Sequence, residues 1–403
     1  MDFNTADDNV MRRIRAMNQR VQGLKEADLY FYNLPVQEIK GGARVVVQGR
    51  EMGMYASYSY LGLLGHPRIN RAAKEAIDRF GSGTHGVRTL AGTLTIHQEL
   101  EETIAAFKHA EAAITFSSGY ATNLTVISTL MGRGDYVISD KLNHASIVDG
   151  CLMSGAEFRR FRHNDMEDLE RRLQQAPPDA AKLVIADAVF SMDGDIIDLP
   201  RVVELCRKYN AWLMIDEAHS VGVLGETGRG IEEHFGMEDV IDIKMGTLSK
   251  TIPSVGGYVA GRKELINYLR HASRAYIFSA ALPPAQAAAA NEAFKVILDE
   301  PWRIQRLREN TQIFINGLKS AGFDTMLTQT AIVPILCGSD ERAFMMTRAC
   351  HHRDIFVLPV VSPAVPEGLA RLRATVTAAH EPEDIEHAIE VMIESGREIG
   401  LIS

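Results

Sequence analysis

Cysteine is scarce and scattered in this chain: among 403 residues only Cys151, Cys206, Cys337 and Cys350 occur, with no CxxC pair. That pattern fits a reducing compartment, and Cys206 sits in the amphipathic run VVELCRKY as a small apolar core residue would. Positive charge is not in excess. The 43 Lys and Arg face 52 Asp and Glu, a net charge of -9, which argues against a sequence-independent grip on nucleic acid, because such a grip needs a basic surface to displace counterions. Long apolar runs are also missing. The nearest, from Tyr276 to Ala290, is broken by Pro283 and Pro284 and falls short of the roughly 20 residues a membrane helix requires. The opening MDFNTADDNVMRRIR has no apolar stretch, so it reads as neither a secretory signal nor a transit peptide. A soluble cytoplasmic protein with small molecules or proteins as partners is expected.

What is present is an ordinary globular composition, 46% hydrophobic and 24% charged, with length enough for one large core and a smaller one. Val10, Ile14, Met17, Val21 and Leu24 recur at steps of four and three, which predicts a helix with one apolar stripe, packed on its own body or on a sister subunit. Basic residues on its other faces leave contact with an anionic acyl carrier as the alternative. RVVV and MGMYAS around QGRE read as a short hairpin. From about residue 67 helices alternate with the strands AAITF, DYVIS, KLVIAD, AWLMID, DIKM and GGYVA, which specifies an α/β fold with a mostly parallel sheet covered on both faces. From about residue 291 a long helix, the short strands IVPIL, IFVLP and RLRAT, and an amphipathic helix after Glu383 follow. The organisation read from this is a helix and hairpin arm over 1–54, a large ligand-binding domain over 55–290, and a smaller C-terminal α+β domain over 291–403.

Two motifs fail on context. Gly81-Ser-Gly-Thr-His-Gly86 spells G-x-G-x-x-G, but a helix precedes it where the dinucleotide fingerprint needs a strand. Asp216-Glu-Ala-His219 spells a helicase box, yet no G-x-x-x-x-G-K-[ST] exists to cradle a triphosphate. The polar residues at strand ends form a more coherent set. Asp216 ends the apolar strand AWLMI at the ligand-binding edge of such a sheet; it either caps the next segment or holds a pyridinium nitrogen protonated. His219 is either structural or a donor to the phenolic oxygen of the same ring. Lys250 follows DIKM and GTLS, before the apolar, glycine-rich TIPSVGGYVAG, where a buried lysine has a depressed pKa and acts as nucleophile and base. Thr247 and Ser249 are placed to donate to a phosphate, and Ser117-Ser118-Gly119-Tyr120 precedes a helix whose free amides can bind a dianion. Together these supply an anion cradle, a pyridinium partner and a Schiff-base lysine, the requirements of pyridoxal 5′-phosphate (PLP).

Those residues lie in YLGLLGHP, FSSGYATN, DKLNHASIVDG, RHND, VFSMDGD, DEAHSVGVLGETGRG, GTLSK, FSAALPP and RLRATVTAAH, and in that order they resemble the α-oxoamine synthases from about Tyr55 to the C-terminus. These are PLP enzymes of the aspartate aminotransferase fold, type I, with a seven-stranded sheet, and include glycine C-acetyltransferase, 8-amino-7-oxononanoate synthase and serine palmitoyltransferase. The resemblance implies that Lys250 forms the Schiff base, Asp216 pairs with the pyridine nitrogen, His144 stacks on the ring, and Ser191 and His219 lie near its phenolic oxygen. It gives the phosphate to Gly119, Tyr120 and Thr247, the amino-acid carboxylate to Arg373, and Ser279 to the phosphate of the neighbouring subunit, hence a homodimer with shared active sites. Two positions depart from the family: Ser59 stands where Asn usually precedes YLGL and contacts substrate, and Ala280 replaces a hydroxyl or amide residue.

The implied reaction is a decarboxylative Claisen condensation of glycine, alanine or serine with an acyl thioester, on coenzyme A or a carrier protein. An aminotransferase on the same fold and a catalytically inactive partner subunit are the other readings. VLPVVSPAVPEG before Arg373 resembles relatives that take long or polyketide-derived acyl chains. Asn164 and Asp165 are expected to cap a helix, and His351 and His352 to end one. His85 and Arg88 divide between substrate contact and a structural role.

Overall fold

A helix, α1 (Asn9–Glu26), forms where the apolar stripe predicts it, in a computed structural model that describes residues 9–403. The leader reading at residues 1–8 lies outside the described residues. Only part of the stripe is covered: Leu24 packs against the C-terminal core and Val21 is half-buried, whereas Ile14 and Met17 remain exposed. The arm continues as a meander of β1 (Val36–Lys40), β2 (Arg44–Val47) and β3 (Arg50–Met54). Its hairpin is tighter than the sequence suggests, because Gln48 and Gly49 both take positive φ, as a two-residue turn of type I′ demands.

The large sheet contains β4 (Ala112–Phe116), β5 (Tyr136–Asp140), β6 (Glu157–Phe161), β7 (Lys182–Asp187), β8 (Trp212–Asp216), β9 (Ile243–Ser249) and β10 (Pro253–Gly261), in the order β4-β10-β9-β8-β7-β5-β6. All neighbours are parallel except β10, which runs antiparallel to β4 and β9. Apolar side chains on its two faces build two cores, one with Ile138, Val184 and Ile215, the other with Val137, Leu183 and Met214. Adjacent residues of one strand thus serve opposite cores, as the period of two requires. Helices α2 (Pro67–Phe80), α3 (Thr95–Phe107), α4 (Gly119–Leu130) and α5 (Ala145–Ser154) cover the sheet or lead into it. Among the described residues no helix is long and apolar enough to cross a membrane.

The helix expected after residue 291 is two. Pro284–Asp299 packs on α2, α3 and β10, and Trp302–Ser320 packs on the last helix, Pro382–Glu398. Pro301 separates them, since proline lacks the amide a continuing helix needs. A division at 290/291 would cut the first of these helices, and we propose Pro301 as the boundary instead. The small sheet orders β11 (Ile332–Gly338), β14 (Ala370–Thr375) and β13 (Pro359–Val360). IFVLP is therefore not one strand. Ile355–Phe356, β12, pairs in parallel with β3 of the arm, while Pro359–Val360 pairs with β14.

Candidate active site

Strands β5, β7, β8 and β9 deliver their carboxyl ends to a common edge, and the loops that follow enclose a cavity of about 260 Å³. Ser118, Gly119, Tyr120, His144, Ser191, Asp216, His219, Thr247, Ser249 and Lys250 all line it. Ten positions read from separate motifs therefore meet in one place.

One corner of it is the start of α4. Ser118 caps that helix by accepting from the Ala121 amide at 3.1 Å, while the first-turn amides, Gly119 and Tyr120, have no acceptor within the helix. A Cβ on Gly119 would lie 2.9 Å from Thr247 Oγ1, so only glycine lets the helix start approach the end of β9. Thr247 Oγ1 meets Ser249 Oγ at 2.9 Å and donates to the Gly256 carbonyl.

Opposite this corner Asp216 is buried at the end of β8, accepting from Asn123 Nδ2 at 2.8 Å and from the Ala218 amide at 2.9 Å. Asp187, in register with it on β7, is fully buried, and its carboxyl is pushed well above the usual range by burial and then by the charge of Asp216. Its Oδ1 has no protein partner. His144 caps α5, with Nδ1 2.7 Å from Ser146 Oγ, and burial lowers its pKa.

Lys250 Nζ lies 2.8 Å from His219 Nε2, and His219 Nδ1 lies 2.6 Å from Tyr60 Oη. Burial, followed by the Lys250 and Arg373 charges, holds His219 well below its ordinary pKa, so the imidazole is neutral. A neutral imidazole carries one N–H, which couples the two contacts. When an ammonium donates to Nε2, the ring proton sits on Nδ1 and goes to Tyr60; when the free amine accepts from Nε2–H, Tyr60 donates to Nδ1. Lys250 is only half-buried by surface, because its tip opens to the cavity, yet loss of hydration lowers its pKa to about 8 against the opposing pull of Asp216 and Asp187.

Three predicted residues do not line this cavity. Arg373 on β14 reaches its edge: Nε donates to the Ser191 carbonyl at 2.6 Å, Nη1 donates to Thr375 Oγ1 at 2.9 Å, and Nη2 is buried without a partner. Ser59 is buried, with its Oγ unpartnered and its carbonyl accepting from Thr377 Oγ1 at 2.7 Å. It is Tyr58 beside it that faces the chemistry. The Tyr58 ring has the Arg373 guanidinium 4.9 Å and the Lys250 amine 5.6 Å from its centroid, with the His219 ring 5.8 Å away. Ser279 closes a short helix away from the cavity.

Sequence reading missed Tyr58, Asp187 and Asn123. Asp187 carried a usable signal, since it ends KLVIAD as Asp216 ends AWLMID; Asn123 carried none. The structure also places His163 and Arg88. His163 of RHND bridges Asp140 at 3.1 Å and Asp195 at 2.9 Å and abuts the Phe190 ring, so it clamps the loop that carries Ser191. Arg88 pairs with Glu101 at 2.9 Å inside the protein and is structural, whereas His85 is exposed. Asp165 accepts from the Asp168 amide as a helix cap, Asn164 bonds the Ile196 carbonyl, and His351, in the last turn of its helix, bonds the Val357 carbonyl.

Residues 55–392 match the family model for aminotransferase class I and II. An 8-amino-7-oxononanoate synthase of Thermoanaerobacter pseudethanolicus is 44% identical over 387 residues, covering 96% of this chain and 98% of that one. A serine palmitoyltransferase of Sphingobacterium spiritivorum is 42% identical over 373 residues, 93% of each. Among solved structures, a serine palmitoyltransferase of S. paucimobilis with bound PLP superimposes with a TM-score of 0.95 at 36% identity, covering 98% of this chain and all of that one. An 8-amino-7-oxononanoate synthase of Francisella tularensis superimposes with a TM-score of 0.75 at 26% identity, covering 86% of this chain and 98% of that one.

Proposed function

Since the chain belongs to the α-oxoamine synthases, PLP enzymes of the type I fold, we propose that the cavity at the ends of β8 and β9 holds PLP on Lys250. The enzyme joins an amino acid to an acyl thioester and releases thiol and carbon dioxide, leaving an α-amino ketone. When bound, the cofactor supplies a carbonyl that an amine can capture and an electron sink for a carbanion beside nitrogen.

The residues present fit that group. The α4 amides with Thr247 would receive its phosphate at a corner that a Cβ on Gly119 would fill. Asp216 would serve its ring nitrogen, His144 its ring, and Ser191 with His219 its phenolic oxygen. Arg373 offers the buried, unpaired Nη2 to the amino-acid carboxylate, a charge-assisted contact. The Tyr58 ring lies within cation–π reach of both Arg373 and Lys250. Burial lowers the pKa of the Lys250 amine to about 8 in this cavity, which suits it to act as a base near neutral pH, and the neutral His219 can pass a proton between it and Tyr60.

The observation that carries this reading is the amine of Lys250, desolvated and 2.8 Å from a neutral His219 at the mouth of the Asp216 cavity. Supporting a shared dimer, Phe278 beside Ser279 and Leu90 are 74% and 83% exposed, on two segments joined by the Val87–Ala280 bridge. Large exposed apolar side chains brought together in this way mark contact surfaces, and Ser279 then serves the partner's cavity. Four buried free thiols suit the cytoplasm.

The test is a grid of glycine, alanine and serine against acyl thioesters, read by free thiol and carbon dioxide. Both products should appear only when both substrates are present. Release of an oxo acid without any thioester would indicate transamination instead, and silence from every pair would end the synthase reading.

A further inference from the structure

Beyond Arg373 a second cavity opens, of about 490 Å³, between α1 and the segment that carries β13. Its walls include Met17, Val21 and Leu24 from the helix stripe, Tyr30, Val360 and Met192. It adjoins the candidate active site. Met192 follows Ser191, whose carbonyl takes the Arg373 Nε bond, and the Met192 carbonyl accepts from Arg371 at 3.2 Å. On the other side the wall begins at Pro359, and the residue before it, Leu358, accepts from the Arg373 amide.

The charge inside this groove is already committed. Arg20 is the one ionic side chain among its described lining residues. It donates to the Ser362 carbonyl at 3.3 Å and pairs with Asp340 at 3.8 Å, and Asp340 in turn holds the Ser362 amide. An acyl chain ending in a carboxylate would bury that charge here without a free cation, which is costly. A plain alkyl chain would lose only water.

We propose that this groove receives the acyl chain of the thioester and selects long, unsubstituted alkyl chains over short or ω-carboxylated ones. The inference rests on the acyl-thioester reading above and names its substrate class. It gives Met17 and Val21 of the α1 stripe an occupant that continues from the reaction centre.

With the holoenzyme and whichever amino acid is active, kcat/KM is measured by thiol release along the saturated acyl-CoA series from butyryl to stearoyl. The expected rise is about fourfold per added methylene until the groove fills. An ω-carboxylated thioester of equal length should be about tenfold poorer or worse. Val21→Arg, and separately Met17→Arg at an exposed position on the same wall, should reduce the ratio of stearoyl to butyryl turnover by about tenfold or more. A second readout needs no turnover: fluorescence of cis-parinaric acid should rise on binding, fall on addition of palmitate, and weaken in both variants.

A flat or falling chain-length series, or preference for the ω-carboxylated thioester, overturns the groove while leaving the reaction intact. The same holds if thiol is released but the probe does not bind, the result expected where a second copy of the chain covers this face. If no thioester reacts while the probe binds and both variants weaken it, the groove stands and the synthase reading falls.

Discussion

The depressed pKa of Lys250 makes a prediction that does not depend on the cofactor. Labelling of the apo-protein with trace acetic anhydride, quantified by mass spectrometry of the peptide containing Lys250, reports the free amine as a function of pH. With a midpoint of about 8, about 9% of the amine is free at pH 7, against about 0.03% for an ordinary lysine near 10.4–10.5, a ratio of about 300. Exposed lysines of the same digest, such as Lys263 and Lys319, serve as internal references. The charges around the amine fix the signs of two variants. Asp216 raises the pKa and Arg373 lowers it, so Asp216→Asn should move the midpoint below 8 and Arg373→Ala should move it above. A wild-type midpoint near that of the reference lysines, or two variants shifting the same way, would refute the electrostatic account of the site.

Other consequences follow from single contacts. Burial opposes charge on His163, but its bonds to Asp140 and Asp195 win and raise its pKa to about 10. Its contribution to stability is therefore full below the unfolded value of about 6.5 and lost as pH rises through 10. After discounting for partial exposure this is about 1–2 kcal/mol, visible as a decline in urea midpoint from pH 6.5 to 10 that His163→Gln should flatten. Lys108 and Glu217 form an ion pair at 2.6 Å with side chains 2% and 1% exposed. Lys108→Met strands a buried carboxylate and should cost about 3–5 kcal/mol, read as a large loss of Tm; an unchanged Tm would contradict that burial. Gly119→Ala should weaken PLP binding by about tenfold or more, since overpacking of this kind costs about 1–3 kcal/mol, and titration of apo-protein followed by aldimine absorbance would measure it. Arg373→Lys should raise KM for the amino acid by about two orders of magnitude through loss of the planar fork, with little change in KM for the thioester.

Strand ends were the legible part of this molecule. AWLMID and KLVIAD are apolar runs that stop at a carboxylate, and a parallel sheet turns such a stop into a position at the ligand edge. β9 runs further than DIKM indicates: Gly246 interrupts the strand pattern by its low strand propensity, and the residues from Gly246 to Ser249 are held by pairing with β10, a partner that local pattern cannot supply. Ser59 is singled out by its place at the family's usual Asn position, whereas nothing in the sequence singles out Tyr58. Which of the two meets Lys250 and Arg373 is decided by stitches to a segment more than 300 residues away, where Thr377 donates to the Ser59 carbonyl and Ala378 donates to the Tyr60 carbonyl. Nothing within YSYLG encodes that orientation. The split of IFVLP was equally hidden, since a run of five apolar residues gives no sign that it serves two sheets.

That split has a practical meaning for anyone who trims or grafts this protein. Ile355 and Phe356 are pinned to the arm hairpin, and three residues later Pro359 is pinned to Leu372, next to Arg373. The arm and Arg373 are thus joined by one short tether. An exchange of arms between relatives would change more than a surface appendage: it would reset the tension on the strand that aims Arg373. Chimeras joined after Met54 should therefore keep the matching 355–360 segment, and those that do not should misplace carboxylate recognition before they lose the fold.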